Sequence, residues 1–364
     1  MEKKGNLIVA SGVLDAPTAE QLVKDMEPGA IYMLDFSAVE DVRFAALRML
    51  LNARKGGAKF TVVCAPDAVA EKFEDTGVSA FVSVSRKPKQ LDMSRYVEFG
   101  ESFMSKAYNS TDGDSMIKVY GSRGSLAQVA REKAVAKSVM LFGIPTPLVG
   151  TIYHDGEHWA LDFERITPKR SFSRIISEEP ERLEEITVKF AGMCRQLHET
   201  PCDTVIFSDR RQIYRNTIEP SDAISDEIRR KALAFIDRIP EATTCLHGDM
   251  QPSNVITNGK EEMWIDLADF CYGYPMMDLS MWYFLSNVAP EGLMLHLFHL
   301  GKDEMKNIWD IFCREYFGTS DTAILQQKEA EIRDYCILHM IFLGCQSGFE
   351  PFMMPVIEAG TARW

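Results

Sequence analysis

Cys245-Leu246-His247-Gly248-Asp249-Met250-Gln251-Pro252-Ser253-Asn254-Val255-Ile256, continued by Met263-Trp264-Ile265-Asp266-Leu267-Ala268-Asp269, is the stretch from which the rest of the chain can be read. It places an Asn five residues after an Asp, and a strand-like run ends on a second Asp twelve residues beyond that Asn. His-Gly-Asp alone is a polar turn, and two carboxylates also suit a hydrolase. The set as a whole, with its Trp264-Ile265-Asp266 strand end, points to phosphoryl transfer from ATP. That reaction asks little covalent chemistry of the protein. It needs a carboxylate to orient the attacking hydroxyl and accept its proton, and hard oxygen donors to hold Mg²⁺ on the phosphates. Asp249 suits the first task, Asn254 and Asp266 the second.

Outward from this stretch, the chain beyond Pro168 is mostly helical, with the compact region 245–279 inserted and turns at Pro240-Glu241 and Pro290-Glu291 around it. From about 96 to 166 the texture is β-like: YVEF, MSKAYN, SMIKVY and HWALDFERI (158–166) read as strands, and Leu126 to Leu141 as a helix. The polar stretch SRKPKQLDMSR (85–95) reads as a boundary. Before it, Ile31 to Phe36 and Lys59 to Cys64 are strand-like, and Val42 to Arg54 carries apolar residues at helical spacing until Gly56-Gly57. Ala65-Pro66-Asp67 then opens a further helix that ends at Gly77. Strands alternating with such helices predict a small α/β layer.

HGDMQPSNVI followed by WIDLADFCYGYPMMDLS resembles the aminoglycoside phosphotransferase and choline kinase superfamily, whose usual text is HGDLHPGNIL and IDWADAGYGDPAYDLA. The resemblance implies Asp249 as catalytic base, Asn254 and Asp266 as magnesium ligands, and Asp278 as a buried aspartate supporting the catalytic loop. His247 holds that loop, and the Leu197-His198 helix end packs on it. The chain departs from the pattern at Tyr274, where Asp is usual, and at Leu267, where Trp is common. A kinase also needs a cation on the nucleotide phosphates. Lys118 stands in SMIKVY, whose alternation puts it on one face with Met116 and Tyr120. Glu132 of the following helix is placed as its partner, as in the lysine–glutamate pair of kinases. The loop over the phosphates is expected at Ser102, Phe103 and Met104, although it lacks G-x-G-x-x-G. LDFERI (161–166) matches the hinge between lobes, with backbone near Glu164 and Ile166 expected to bond adenine.

The first ninety residues resemble a STAS domain, the fold of anti-sigma-factor antagonists, in the order of elements and in LDFSAVEDVRFAALRMLLNARKGGAKFTVVCAPDAVAEKFEDTGVSAFVSV. Typical members read LDLSGVTFIDSSGLGVLL there. Where antagonists carry the switching serine of D-S-S-G, this chain has Arg43-Phe44-Ala45-Ala46, which disfavours a phosphorylation switch and leaves an interaction or regulatory module.

The expected architecture is an α/β STAS-like domain at 1–92, followed by an α+β bilobal protein-kinase-like fold at 93–364, with an N-lobe at 93–167 and a C-lobe at 168–364. The 364 residues are 46% hydrophobic and 26% charged, ordinary for globular domains. A formal net charge of −13 argues against a nucleic-acid partner, since phosphate backbones are held by clustered Lys and Arg. No apolar run suits a signal peptide or membrane span, and the eight cysteines form no C-x-x-C pair, so a cytoplasmic protein without disulfides is expected. His296 and His299 have no ligand partners at metal spacing. The acceptor is a small alcohol: an aminoglycoside, choline or ethanolamine, an amino sugar or the like. A second reading is a nucleotide-sensing regulator acting through the STAS-like part on a protein partner. A protein kinase is disfavoured, because neither D-F-G nor A-P-E text follows Asp266.

Overall fold

Strand-forming runs separated by helices of nine to twelve residues fold the start of the chain into an α/β layer. A computed structural model describes residues 1–27, 30–101, 105–122 and 124–364. β1 (Glu2–Lys4), β2 (Leu7–Leu14), β3 (Ile31–Val42), β4 (Lys59–Ala65) and β5 (Val84–Arg86) form a sheet in that order, antiparallel at β1–β2 and parallel elsewhere. The crossovers are α1 (Ala16–Lys24), α2 (Phe44–Lys55) and α3 (Asp67–Asp75). Ala19 and Leu22 of α1, Leu47 and Leu50 of α2, and Val69 and Phe73 of α3 share one core with Leu34, Phe36 and Val62 of the sheet. β3 outruns the expected 31–36 segment because β2 and β3 stay paired across two register shifts, with Gly12 at φ +71°.

The segment expected to be a boundary is built into both sheets. Arg86 closes β5, and β6 (Lys89–Gln90) already pairs in parallel with β10 (Val149–His154) of a second sheet. That sheet has six strands in the order β6-β10-β11-β9-β8-β7, where β7 is Tyr96–Glu101, β8 Ser105–Ser110, β9 Ser115–Tyr120 and β11 Trp159–Glu164. Its one helix, α4 (Leu126–Leu141), starts where the Ser125 hydroxyl accepts the Gln128 N–H and stops before Gly143 at φ +76°. Both sheets lie in one compact unit, Met1–Ile166; residues 167–364 form the other.

In the second unit β12 (Arg170–Ser171) joins a three-stranded sheet with β14 (Val255–Thr257) and β15 (Glu262–Trp264), while β13 (Thr244–Leu246) pairs with β16 (Cys271–Gly273). Helices α5 (Phe172–Glu178), α6 (Leu183–Glu199), α7 (Arg210–Ile218) and α8 (Asp226–Arg238) precede these hairpins. α9 (Met276–Tyr283), α10 (Glu291–Phe298), α11 (Lys302–Phe317), α12 (Thr322–Ser347) and α13 (Met353–Thr361) follow. Phe190 of α6 sits against Trp264, Trp282 and Phe312, so the aromatic core lies directly behind the β14–β15 hairpin. All eight cysteines are free. No helix among the described residues is long and apolar enough to cross a membrane.

One charge in the first unit is held against its preference. Lys133 of α4 is half-buried, and burial, reinforced by the nearby charge of Lys137, pushes its ammonium down to about 8 from 10.5. Between those pH values the unfolded chain keeps a proton that the folded chain has released, so raising the pH favours folding. Stability measured by urea unfolding should therefore rise from about pH 7.5 to about pH 9.5 more in the native chain than in Lys133→Met, which lacks the titrating group. Parallel profiles for the two proteins would refute the assignment.

Candidate active site

The short strand β13 delivers its chain into a loop anchored by one buried carboxylate. Asp278, buried near the start of α9, accepts the backbone N–H of His247 at 2.6 Å and that of Gly248 at 2.9 Å. It also accepts from His198 Nε2 at 3.3 Å, whose Nδ1 in turn accepts the Tyr316 hydroxyl at 2.7 Å. Burial by itself raises a carboxyl, but the bond from His198 and the nearby charge of Arg210 hold Asp278 below its ordinary value. It therefore remains an acceptor, which two consecutive backbone donors require. Gly248 needs the freedom that only glycine has: φ is +84°, and a Cβ there would sit 2.2 Å from the Asp269 carbonyl oxygen.

This loop presents Asp249. Gln251 Nε2 donates to both of its carboxylate oxygens, at 3.1 and 3.0 Å, and Asn254 Nδ2 donates to Oδ2 at 2.9 Å and to the Asp249 carbonyl at 2.8 Å. Burial lifts the Asp249 carboxyl above its usual range and Asp266 adds to that, against the bonds from Asn254 and Gln251. A raised carboxyl is a better proton acceptor near neutral pH than an exposed one.

Asp266 follows from the neighbouring hairpin. Val255 pairs with Trp264, and the Ile265 N–H donates to the Asn254 carbonyl at 2.9 Å, so Asn254 and Asp266 leave adjacent strands side by side. Asp266 sits at φ +61°, ψ +51°, a left-handed conformation that aspartate, like asparagine, adopts more readily than most residues. His247 ties the two halves together: its Nδ1 accepts the Asp249 N–H at 3.3 Å, so Nε2 carries the proton and donates to the Ile265 carbonyl at 3.0 Å.

In the first unit, Lys118 Nζ lies 2.9 Å from Glu132 Oε1, and the pair is largely buried. Glu164 spends its N–H on the Leu148 carbonyl at 2.8 Å, and its side chain accepts the Leu148 N–H at 3.1 Å. Ile166 is buried at the end of the unit. Ser102, Phe103 and Met104 lie outside the described residues. His296 and His299 are both exposed, and no cluster of three or more His, Cys, Asp or Glu able to hold a metal occurs among the described residues.

Three contributors escaped the sequence reading. Arg210, 2% exposed at the start of α7, donates from Nη2 to the Gly248 carbonyl at 3.1 Å, with its guanidinium over the rings of Tyr214 and Phe342. Nothing in SDRRQIYRN separates this arginine from the half-buried Arg211 and Arg215 beside it. Gln251 and Tyr120, whose hydroxyl donates to Glu132 Oε2 at 2.5 Å, stand within or beside quoted motifs and carry signals only through that position.

Residues 98–304, more than half of the chain, match the model of the phosphotransferase enzyme family. Two structures of the aminoglycoside phosphotransferase APH(4)-Ia are similar to the chain, one of a thermostable mutant in its apo form. Each is 13% identical with a TM-score of 0.50, covering 74% of this chain and 92% or 90% of its own. A choline/ethanolamine kinase family protein from Mesorhizobium loti is 15% identical over 74% of this chain and 86% of its own, at a TM-score of 0.46. No curated protein matches. At such identities the likeness to APH(4)-Ia speaks for the fold, the bilobal kinase-like one, while the family match covers the stretch from β7 to α11. The chain belongs to the phosphotransferase enzyme family.

Proposed function

We propose that the protein transfers the γ-phosphoryl group of ATP to the hydroxyl of a small molecule, an aminoglycoside, choline or ethanolamine, an amino sugar or a related alcohol. The observation that carries this reading is the grip on Asp249: Asn254 and Gln251 aim its carboxylate while burial raises its proton affinity. The acceptor hydroxyl gives its proton to Asp249 as its oxygen bonds to the γ-phosphorus. The bond to the β–γ bridging oxygen breaks, and its electron pair leaves with ADP.

The donor set fits magnesium. Asn254 uses its amide nitrogen on Asp249, which leaves Oδ1 as a hard donor beside the Asp266 carboxylate. Mg²⁺ takes one or two protein oxygens and completes its shell with phosphates and water. When bound, the ion neutralises charge on the transferring phosphoryl group. Lys118, oriented by Glu132, is assigned to the nucleotide phosphates, and residues 102–104 to the loop over them. Because the Glu164 N–H is taken by Leu148, the adenine contact falls to the Glu164 carbonyl and to Ile166. The N-terminal α/β layer serves as a STAS-like interaction module in a cytoplasmic enzyme, supported by its parallel strand order and by Phe44, 70% exposed at the start of α2.

Screened against amino alcohols, amino sugars and aminoglycosides, the purified protein should release ADP with at least one acceptor. Asp249→Asn should lower kcat by about a hundred- to ten-thousand-fold while leaving nucleotide affinity nearly unchanged. Turnover that survives this substitution would remove Asp249 from the chemistry. A metal titration separates the other role: Asp266→Ala should need at least about tenfold more Mg²⁺ for half-maximal activity, following the affinity losses seen when ligand shells are disturbed. An unaltered magnesium midpoint would assign the metal elsewhere.

A further inference from the structure

α4 is packed against two sheets. Val129 and Ala130 of α4 share a buried cluster with Tyr120, Ile152 and Leu161 of the six-stranded sheet, and the same cluster contains Val63 of β4, flanked by Met33 and Cys64. Val62 belongs to the core under α1–α3, so Val63 points from the opposite face of its sheet. A sheet with both faces covered reads as consecutive apolar residues, as Val62-Val63 does.

The cluster bears directly on the ion pair. Glu132 is 5% exposed, and both of its oxygens are engaged, Oε1 by Lys118 at 2.9 Å and Oε2 by the Tyr120 hydroxyl at 2.5 Å. Tyr120, 2% exposed, presses its ring into the cluster that Val63 completes. The covalent link is equally tight: Val84–Arg86 pairs with β4, and Lys89–Gln90 pairs with β10. The Lys87 N–H bonds back to Ala65, and the Leu91 N–H bonds forward to His154. The α/β layer is therefore tied to the sheet that holds Lys118 by backbone pairing as well as by packing.

We infer that the N-terminal α/β layer is a positioning element of the nucleotide-holding lobe: Val63, acting through Tyr120 and α4, fixes Glu132 and thereby Lys118. The inference rests on the reading that Lys118 holds the nucleotide phosphates. Glu132 is dispensable for the proton transfer itself, so disturbing Val63 acts on nucleotide affinity rather than on acceptor binding.

The test uses the full chain and a fluorescent ATP analogue with Mg²⁺. Val63→Ala should weaken binding by about three- to tenfold. Val62→Ala removes the same atoms from the other face of the same strand and should leave nucleotide affinity unaltered, so mere loss of stability is controlled. In a Glu132→Gln background Val63→Ala should add nothing, because the path it acts through is already cut. Should Val63→Ala prove insoluble, Met33→Ala on the same face takes its place. Equal effects of the Val62 and Val63 substitutions, or additivity with Glu132→Gln, would overturn the inference. A Lys118→Ala variant that binds nucleotide normally would instead overturn the reading beneath it.

Discussion

Asp278 takes two consecutive backbone N–H groups, those of His247 and Gly248, and the whole candidate site depends on that double acceptance. Consecutive peptide donors converge on one carboxylate only when the chain turns sharply, and here the turn requires the left-handed Gly248. The turn in turn delivers Asp249. A buried acceptor of this kind is costly if left incomplete, because each unmet partner forfeits about 1–3 kcal/mol of desolvation. His198 and the guanidinium of Arg210 surround the carboxylate with donors and positive charge, and Arg210 also takes the Gly248 carbonyl. The loop is therefore bonded at its N–H and its C=O, and neither group is left to water.

The same logic governs the other ion pair. Glu132 is nearly inaccessible, and a buried carboxylate persists as a charge only with partners on both oxygens. Lys118 alone satisfies one; the phenol of Tyr120 satisfies the other. A phenol keeps its geometry only if its ring is packed, and the ring's packing draws on Val63 from the preceding α/β layer. A salt bridge between β9 and α4 thus draws on an apolar side chain from the other sheet, and both sheets lie in one compact unit although their strands are separate.

Much of this was legible in the sequence. The bounds expected for α4, Leu126 to Leu141, coincide with those observed, since Ser125 and Gly143 are local signals that tertiary structure does not override. The Asp249, Asn254 and Asp266 constellation was legible because its spacing follows from a tight turn and a two-stranded hairpin, both short-range. What escaped was set by long-range contact. β3 runs on to Val42 because β2 shifts register to stay beside it, a decision made by the partner strand. The polar 85–95 stretch reads as a boundary, yet its backbone pairs with both sheets, where side-chain polarity matters little on short edge segments. Arg210 was hidden for the same reason: a charged residue at a helix start reads as solvated, and only its partner 38 positions away explains its burial.

Tyr274 shows how a departure from the family's usual text is accommodated. Where Asp is common, the phenol hydroxyl donates to Glu331 of α12 at 3.2 Å, and its ring lies 5.8 Å from that of Tyr335. An aspartate here would set a second anion toward Glu331, which already depends on Lys328 for a counter-charge at 3.4 Å. The tyrosine reaches farther, donates instead of accepting, and adds aromatic contact. It fastens the segment between Asp266 and Asp278 to the long helix behind it. The change at position 274 is therefore matched by residues on α12.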